Sequence, residues 1–116
     1  MIPARLLTSL EVDTSVTDQT RKLLRKLEGQ YPQMPQLAQI LNMSSRTYRR
    51  RLQAEGTTYQ DLLDAVRAEH ATHHLTNSKL PLSSIAYKIG VNDTSNFRRA
   101  YLKWTGKTPG QVRRGL

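Results

Sequence analysis

The chain has 116 residues, no cysteine, and 18 basic against 9 acidic side chains, for a net charge of +9. Those totals fit one small domain or two subdomains on a shared scaffold, exclude disulfide frameworks and thiolate metal sites, and leave no apolar run long enough for a bilayer span. The positive excess points to a polyanionic partner, nucleic acid ahead of a membrane surface, and the absence of a signal-peptide pattern makes the cytoplasm the expected setting.

Taken in chain order, residues 1–14 show no sustained periodicity and read as a linker or tail. A first helix is expected from Ser15 or Thr17, with Asp18 in its opening turn, a stripe of Leu23, Leu24 and Leu27, and an end at Gly29. The segment YPQMP, residues 31–35, reads as a break. Leu37, Ala38 and Leu41 then have the spacing of a short helix that stops at Asn42. Ser44 is the candidate N-cap of a basic helix closed by Gly56. Residues 58–76 should form one long helix. Tyr59, Leu62, Leu63 and Val66 cluster on one side of it, whereas Ala71 and Leu75 are rotated away by more than about 90°. Such a helix suits a bridge between two packed units. Beyond it come a short helix with Ile85, Ala86 and Ile89, a turn at Gly90, a helix from about Asp93 to Trp104, and a final short helix with Thr108 as N-cap and Pro109 at its first position. The fold class is all-α, with about seven helices. The expected domains are a tail (1–14), a first unit (15–57), a bridging helix (58–76) and a second unit (77–116).

The chain aligns with itself at an offset of 48. Leu37, Ala38, Leu41, Asn42 and Met43 fall on Ile85, Ala86, Ile89, Gly90 and Val91. One extra residue in the second turn then places Tyr48, Arg49, Arg50 and Leu52 on Phe97, Arg98, Arg99 and Tyr101. Each copy is a short apolar helix, a tight turn and a basic amphipathic helix, which is the form of a helix-turn-helix. On a helical wheel Tyr48 and Leu52 mark the buried side of the first basic helix. Arg46, Arg49, Arg50 and Gln53 share an arc of about 100° facing away from it, and Arg51 stands on the flank. In the second copy Phe97, Ala100, Tyr101 and Trp104 form the buried stripe, and Ser95, Arg98, Arg99 and Leu102 point outward. Arginine suits guanine O6 and N7, serine donates or accepts, and aliphatic carbon contacts the thymine methyl. A bridge of 19 residues spans roughly 28 Å, close to the 34 Å turn of B-DNA, so the two helices can enter successive major grooves.

This doubled arrangement resembles the DNA-binding domain of the AraC/XylS family of bacterial transcription regulators. The residues that carry the resemblance are LAQILNMSSRTYRRRLQAEGTTY (37–59), the Arg67, Ala71, Leu75 spacing, and LSSIAYKIGVNDTSNFRRAYLKWTGKTP (82–109) followed by Arg113. Val91 and Val112 stand where the family usually has an aromatic. Tyr48 replaces a usual leucine, and Tyr101 a usual phenylalanine. The resemblance implies a sequence-specific, non-enzymatic transcription regulator needing no cofactor, with base contacts from Arg46, Arg49 and Arg50 and from Thr94, Ser95 and Arg99. Phosphate contacts are expected from Arg51, Lys88, Arg98, Lys107 and Arg113. Double-stranded DNA is the expected partner and RNA polymerase a second. An effector-binding or dimerisation domain is expected outside this chain, which should be a monomer in isolation.

Other readings weigh against these. One such reading makes the arginines a plain solvated face, but such faces usually mix signs, and here the pattern recurs at Arg98 and Arg99. Thr94 and Ser95 can equally serve the start of their helix. Trp104 can stack on a base, but its place on the buried stripe makes it core. Arg67 is expected to pair with an acid at the junction. His70 and His74 are one helical turn apart, with His73 and Glu69 nearby, yet no third zinc ligand is evident. The main alternative function is a helical adaptor whose basic face docks an acidic protein.

Overall fold

The computed structural model describes residues 15–116; the tail expected over 1–14 lies outside them. Seven helices follow in order among the described residues: α1 (Val16–Lys26), α2 (Met34–Ile40), α3 (Ser45–Ala54), α4 (Tyr59–Asn77), α5 (Leu82–Lys88), α6 (Thr94–Thr105) and α7 (Pro109–Arg113). Among the described residues there is no strand.

Polar side chains set the helix starts. Ser15, Ser44, Thr58, Asp93 and Thr108 each accept a hydrogen bond from the backbone N–H three residues on, satisfying a donor that the helix itself leaves unpaired. The expected break over residues 31–35 is shorter than the sequence suggested. Pro35 sits in the first turn of α2, where a missing N–H costs nothing, and Gln33 and Gln36 close a reciprocal capping box. The stripe of α1 also differs. Val16, Thr20 and Leu24 are its buried residues, while Leu23 and Leu27 lie half-buried at its edge.

Two apolar cores lie along one elongated body of 51 × 31 × 22 Å. The first gathers Val16 and Leu24 of α1, Leu37 and Ala38 of α2, Tyr48 and Leu52 of α3, and Leu62, Leu63 and Val66 of α4. The second gathers Ile85 and Ala86 of α5, Ile89 just beyond it, Phe97 and Tyr101 of α6, and Ala71 and Leu75 of α4. The bridging helix therefore buries one face early and another late, as its shifted stripe requires.

The repeat extends to individual hydrogen bonds. In the first turn Met43 N–H donates to the Ala38 carbonyl at 2.9 Å, and in the second Val91 N–H donates to the Ala86 carbonyl at 2.9 Å. Both turns need a left-handed residue. Gly90 takes it at φ 75° and Asn42 at φ 59°, Asn being among the few side chains that tolerate that region. The extra residue lies between turn and cap, since the caps Ser44 and Asp93 are offset by one more than the turns.

The two tyrosine departures have matching solutions. Tyr48 is fully buried, and its phenol is hydrogen-bonded to Thr20 of α1, which is also fully buried. Tyr101 reaches Thr72 of α4 at 2.6 Å. Each larger ring thus carries a polar tip to a threonine on a packed neighbour, so that neither phenol is left unpaired. Val91 and Val112 pack half-buried against the second core.

Candidate nucleic-acid interface

Helix α3 is anchored by Tyr48 and Leu52, both buried, and this fixes which way its other side chains point. Arg46, Arg49, Arg50 and Gln53 are all exposed, as is Arg51. Among the described residues no side-chain hydrogen bond or ion pair holds any of these four arginines, so their donors stay available. Helix α3 carries no acidic residue in its first turn.

Helix α6 is anchored by Phe97 and Tyr101, whose rings lie 5.7 Å apart. Ser95, Arg98, Arg99 and Leu102 are exposed on its other side, and Trp104 lies half-buried against the core. The start of α6 is capped by Asp93, not by Thr94 or Ser95. Thr94 is half-buried, and Ser95 faces outward unengaged by the cap. Asp93 also accepts from the Asn96 side-chain amide at 3.2 Å, and the Asn96 carbonyl oxygen accepts from the Arg99 guanidinium. Sequence reasoning missed this chain of support, although the spacing of 93, 96 and 99 along one side of a helix is its signal.

Of the expected phosphate contacts, Arg51, Arg98, Lys88 and Lys107 are exposed, with Lys107 Nζ 3.2 Å from the Leu116 carbonyl oxygen. Arg113 is placed differently. It is half-buried, and its guanidinium donates to the carbonyls of Leu75 (3.3 Å), Ser78 (3.3 Å) and His74 (3.5 Å), closing the C-terminal end of α4. The His74 carbonyl also accepts from Ser78 N–H at 3.1 Å, so the Arg113 guanidinium adds to the closure of the last turn of α4, an end of the helix where a cation is favoured.

The junction between the units holds Glu28, Arg67, His70 and His74 close together. Arg67 does not meet an acid there. Its guanidinium lies over the Tyr31 ring at 5.6 Å, and its Nε has no hydrogen-bond partner. The Tyr31 phenol, pushed up to about 12 by burial first and by Glu28 second, stays protonated beside His70 Nδ1 at 2.6 Å. His74 Nε2 lies 3.2 Å from both Glu28 oxygens. The two histidines are thus engaged with a tyrosine and a carboxylate, and no group of three or more metal-ligating side chains occurs among the described residues. Gly29, at φ 79°, brings the first unit against α5. A Cβ there would sit 3.0 Å from the Lys88 carbonyl oxygen.

Two carboxylates that the sequence left unassigned secure α1. Glu55 accepts from Ser15 Oγ (2.9 Å), Thr17 N–H (3.0 Å) and Val16 N–H (3.3 Å). Burial raises its pKa, but these hydrogen bonds outweigh that and leave it below the usual carboxylate range. Glu69 receives both a Nε and a terminal nitrogen of Arg25 at 2.9 Å, and this pairing lowers its pKa.

Comparison with known proteins agrees with this geometry. The family described as a helix-turn-helix domain matches residues 37–115. The ornithine utilization regulator of Pseudomonas aeruginosa is 46% identical over 108 residues, covering 93% of this chain and 32% of that protein. The crystal structure of the transcriptional regulator CdpR from Pseudomonas aeruginosa superposes with a TM-score of 0.80 at 36% identity, over 85% of this chain and 31% of that one. The C-terminal domain of AraT, a response regulator from Geobacillus stearothermophilus, superposes at 0.76 with 28% identity, over 89% and 87% of the two chains. The chain spans about a third of the length of the curated relatives it matches.

Proposed function

The chain belongs to the AraC-type helix-turn-helix family of transcription regulators, and from that premise we propose how it engages DNA: α3 and α6 enter successive major grooves on one face of the duplex. The observation that carries this reading is the doubled geometry. Two basic helices, one anchored by Tyr48 and Leu52 and the other by Phe97 and Tyr101, expose matching positions at either end of a 19-residue helix. At 1.5 Å per residue that helix spans roughly 28 Å, near one turn of B-DNA, so a single chain reads a two-part, non-palindromic site.

In this reading Arg46, Arg49 and Arg50 contact bases in the first half-site, and Ser95 and Arg99 do so in the second, with Thr94 at the helix entrance. Arg51, Lys88, Arg98 and Lys107 meet phosphates, which fix register and supply salt-dependent affinity. Arg113 is left out because its Nε and one terminal nitrogen are engaged at the end of α4. The units 15–57 and 77–116, joined by 58–76, act as two readers on one scaffold. A longer regulator supplies effector binding or dimerisation, RNA polymerase is a further partner, and the chain alone is monomeric and non-enzymatic. Light scattering at several concentrations checks the last point, and a constant two-fold mass contradicts it.

The test compares Arg50→Ala and Arg99→Ala on DNA selected from a random pool. Each should lose about 1–3 kcal/mol of discrimination, at different halves of the site. Loss that is uniform across sequences rejects the two-groove reading. Equal affinity for selected and scrambled DNA, with the same salt slope, leaves only a generic polyanion binder.

A further inference from the structure

We infer that Leu102 is a sequence-reading residue that takes the 5-methyl group of a thymine in the half-site read by α6. The inference rests on the two-groove reading above and adds a residue and a base to it.

Three observations carry it. First, Leu102 is one of the few large apolar side chains left in water among the described residues, 47% exposed, on the side of α6 opposite Phe97 and Tyr101. With Ser95 and Arg99 it falls within an arc of about 60° along the outward face. Second, it does not stand alone. With Leu82 and Pro109 it lines a shallow, mostly apolar depression flanked by Arg98, Arg99 and Arg114. An apolar floor rimmed by cations suits a methyl group bordered by phosphates, and Arg114, which the sequence did not single out, joins the rim. Third, the repeat-mate of Leu102 is Gln53, which is also exposed, on α3. One position in the two readers therefore carries a hydrogen-bonding amide in one unit and a hydrocarbon in the other.

The chemistry of the groove gives that difference a meaning. The thymine 5-methyl is the one apolar group displayed on the major-groove edge, whereas the adenine N6 and N7 pattern suits a glutamine amide. Leu102 lies one turn beyond Arg99, about 4.5 Å along the helix axis, which is close to one base-pair step. Arg99, held by Asn96, addresses a guanine, and Leu102 covers the methyl of an adjacent thymine. The two half-sites then differ in kind as well as in order, so a site turned end for end is read differently.

The experiment uses the whole chain and DNA selected from a random pool. The half-site read by α6 is first identified as the one at which Arg99→Ala loses discrimination. Each thymine in it is then replaced in turn by deoxyuridine, which lacks only the methyl. At one position the wild-type protein should bind about three- to fivefold more weakly. Leu102→Ala should be indifferent to the same replacement, and Leu102→Gln should shift its preference there toward adenine. Wild-type binding that is equal for thymine and uracil at every position, with Arg99→Ala still losing discrimination, overturns the role of Leu102 and leaves the two-groove reading standing. Arg99→Ala with unchanged discrimination overturns that reading, and the inference with it. The deoxyuridine series itself is run on the wild-type protein, and Arg99→Ala, a change at an exposed position, serves only to tell the two half-sites apart.

Discussion

In the first unit four arginines crowd one helix and none is tethered; in the second, Arg99 is held by Asn96, and Asn96 by Asp93. The same turn, repeated with the same hydrogen bonds, thus presents two different kinds of reader. A free arginine loses rotamer freedom when it docks, whereas a tethered one has given up part of that freedom beforehand. On the two-groove reading proposed above, the first unit would adapt to its groove and the second would be pre-organised for it. The supports beneath them differ as well. The first unit relies on exposed carboxylates, Glu55 and Glu69, to secure α1. The second is closed by a cation, Arg113, at the end of α4.

The paired tyrosines offer the largest way to break the symmetry. Tyr48→Phe should leave the fully buried Thr20 hydroxyl without its phenol partner and cost about 1–3 kcal/mol. Tyr101→Phe should cost less, because Thr72 is only half-buried and can regain water. Equal shifts of the denaturation midpoint in the two variants would dissolve the distinction.

Gly29→Ala tests how the two units are held together. A left-handed alanine is strained by about 1–2 kcal/mol, and its Cβ presses on the Lys88 backbone of the other unit. Affinity for the complete two-part DNA site should therefore fall further than affinity for either isolated half-site. A gel-shift comparison of full and half sites measures this.

Asn96→Ala sharpens the contrast between free and tethered readers. Removing the tether should cost about 0.5–1.5 kcal/mol of discrimination at the second half-site, with the first unchanged. Competition binding against single-base variants of each half would show it. A loss shared by both halves would mean that Asn96 serves stability and not reading.

The smallest effect is that of acid, and it falls on the first unit. Glu55 and Glu69 both have folded pKa values below their ordinary value of 4.5. Their stabilisation is therefore present above that value and is lost as pH falls through the folded values. Melting temperature should decline below about pH 4.5, and Glu55→Gln should lower it at neutral pH while flattening the decline. Hydrogen exchange should show α1 opening first.

Much of this molecule is legible in its residues. The caps at Ser44, Thr108 and the start of α1 follow from polar side chains before apolar runs, and the two cores from the stripe of α4 changing face. The outward arginines follow because Tyr48 and Leu52 must be buried. Helix α2 begins at Met34, earlier than the sequence predicts, because a proline in a first turn looks, in sequence, like a break. The family resemblance carried the choice of base-contacting residues, and the wheel agreed with most of them.

The sequence by itself determined the local structure: which segments are helical, which face of each is buried, and that the unit repeats. Those properties depend on neighbours within about one turn of the chain, so periodicity and capping suffice to specify them. Only the tertiary structure decided the partners of charged and polar tips. Arg113 closes a helix 38 residues away, Arg67 lies on a ring instead of an acid, Glu55 caps α1 across 40 residues, and each tyrosine finds its threonine. Long side chains reach several ångströms in many directions, and which donor meets which acceptor depends on how whole helices pack.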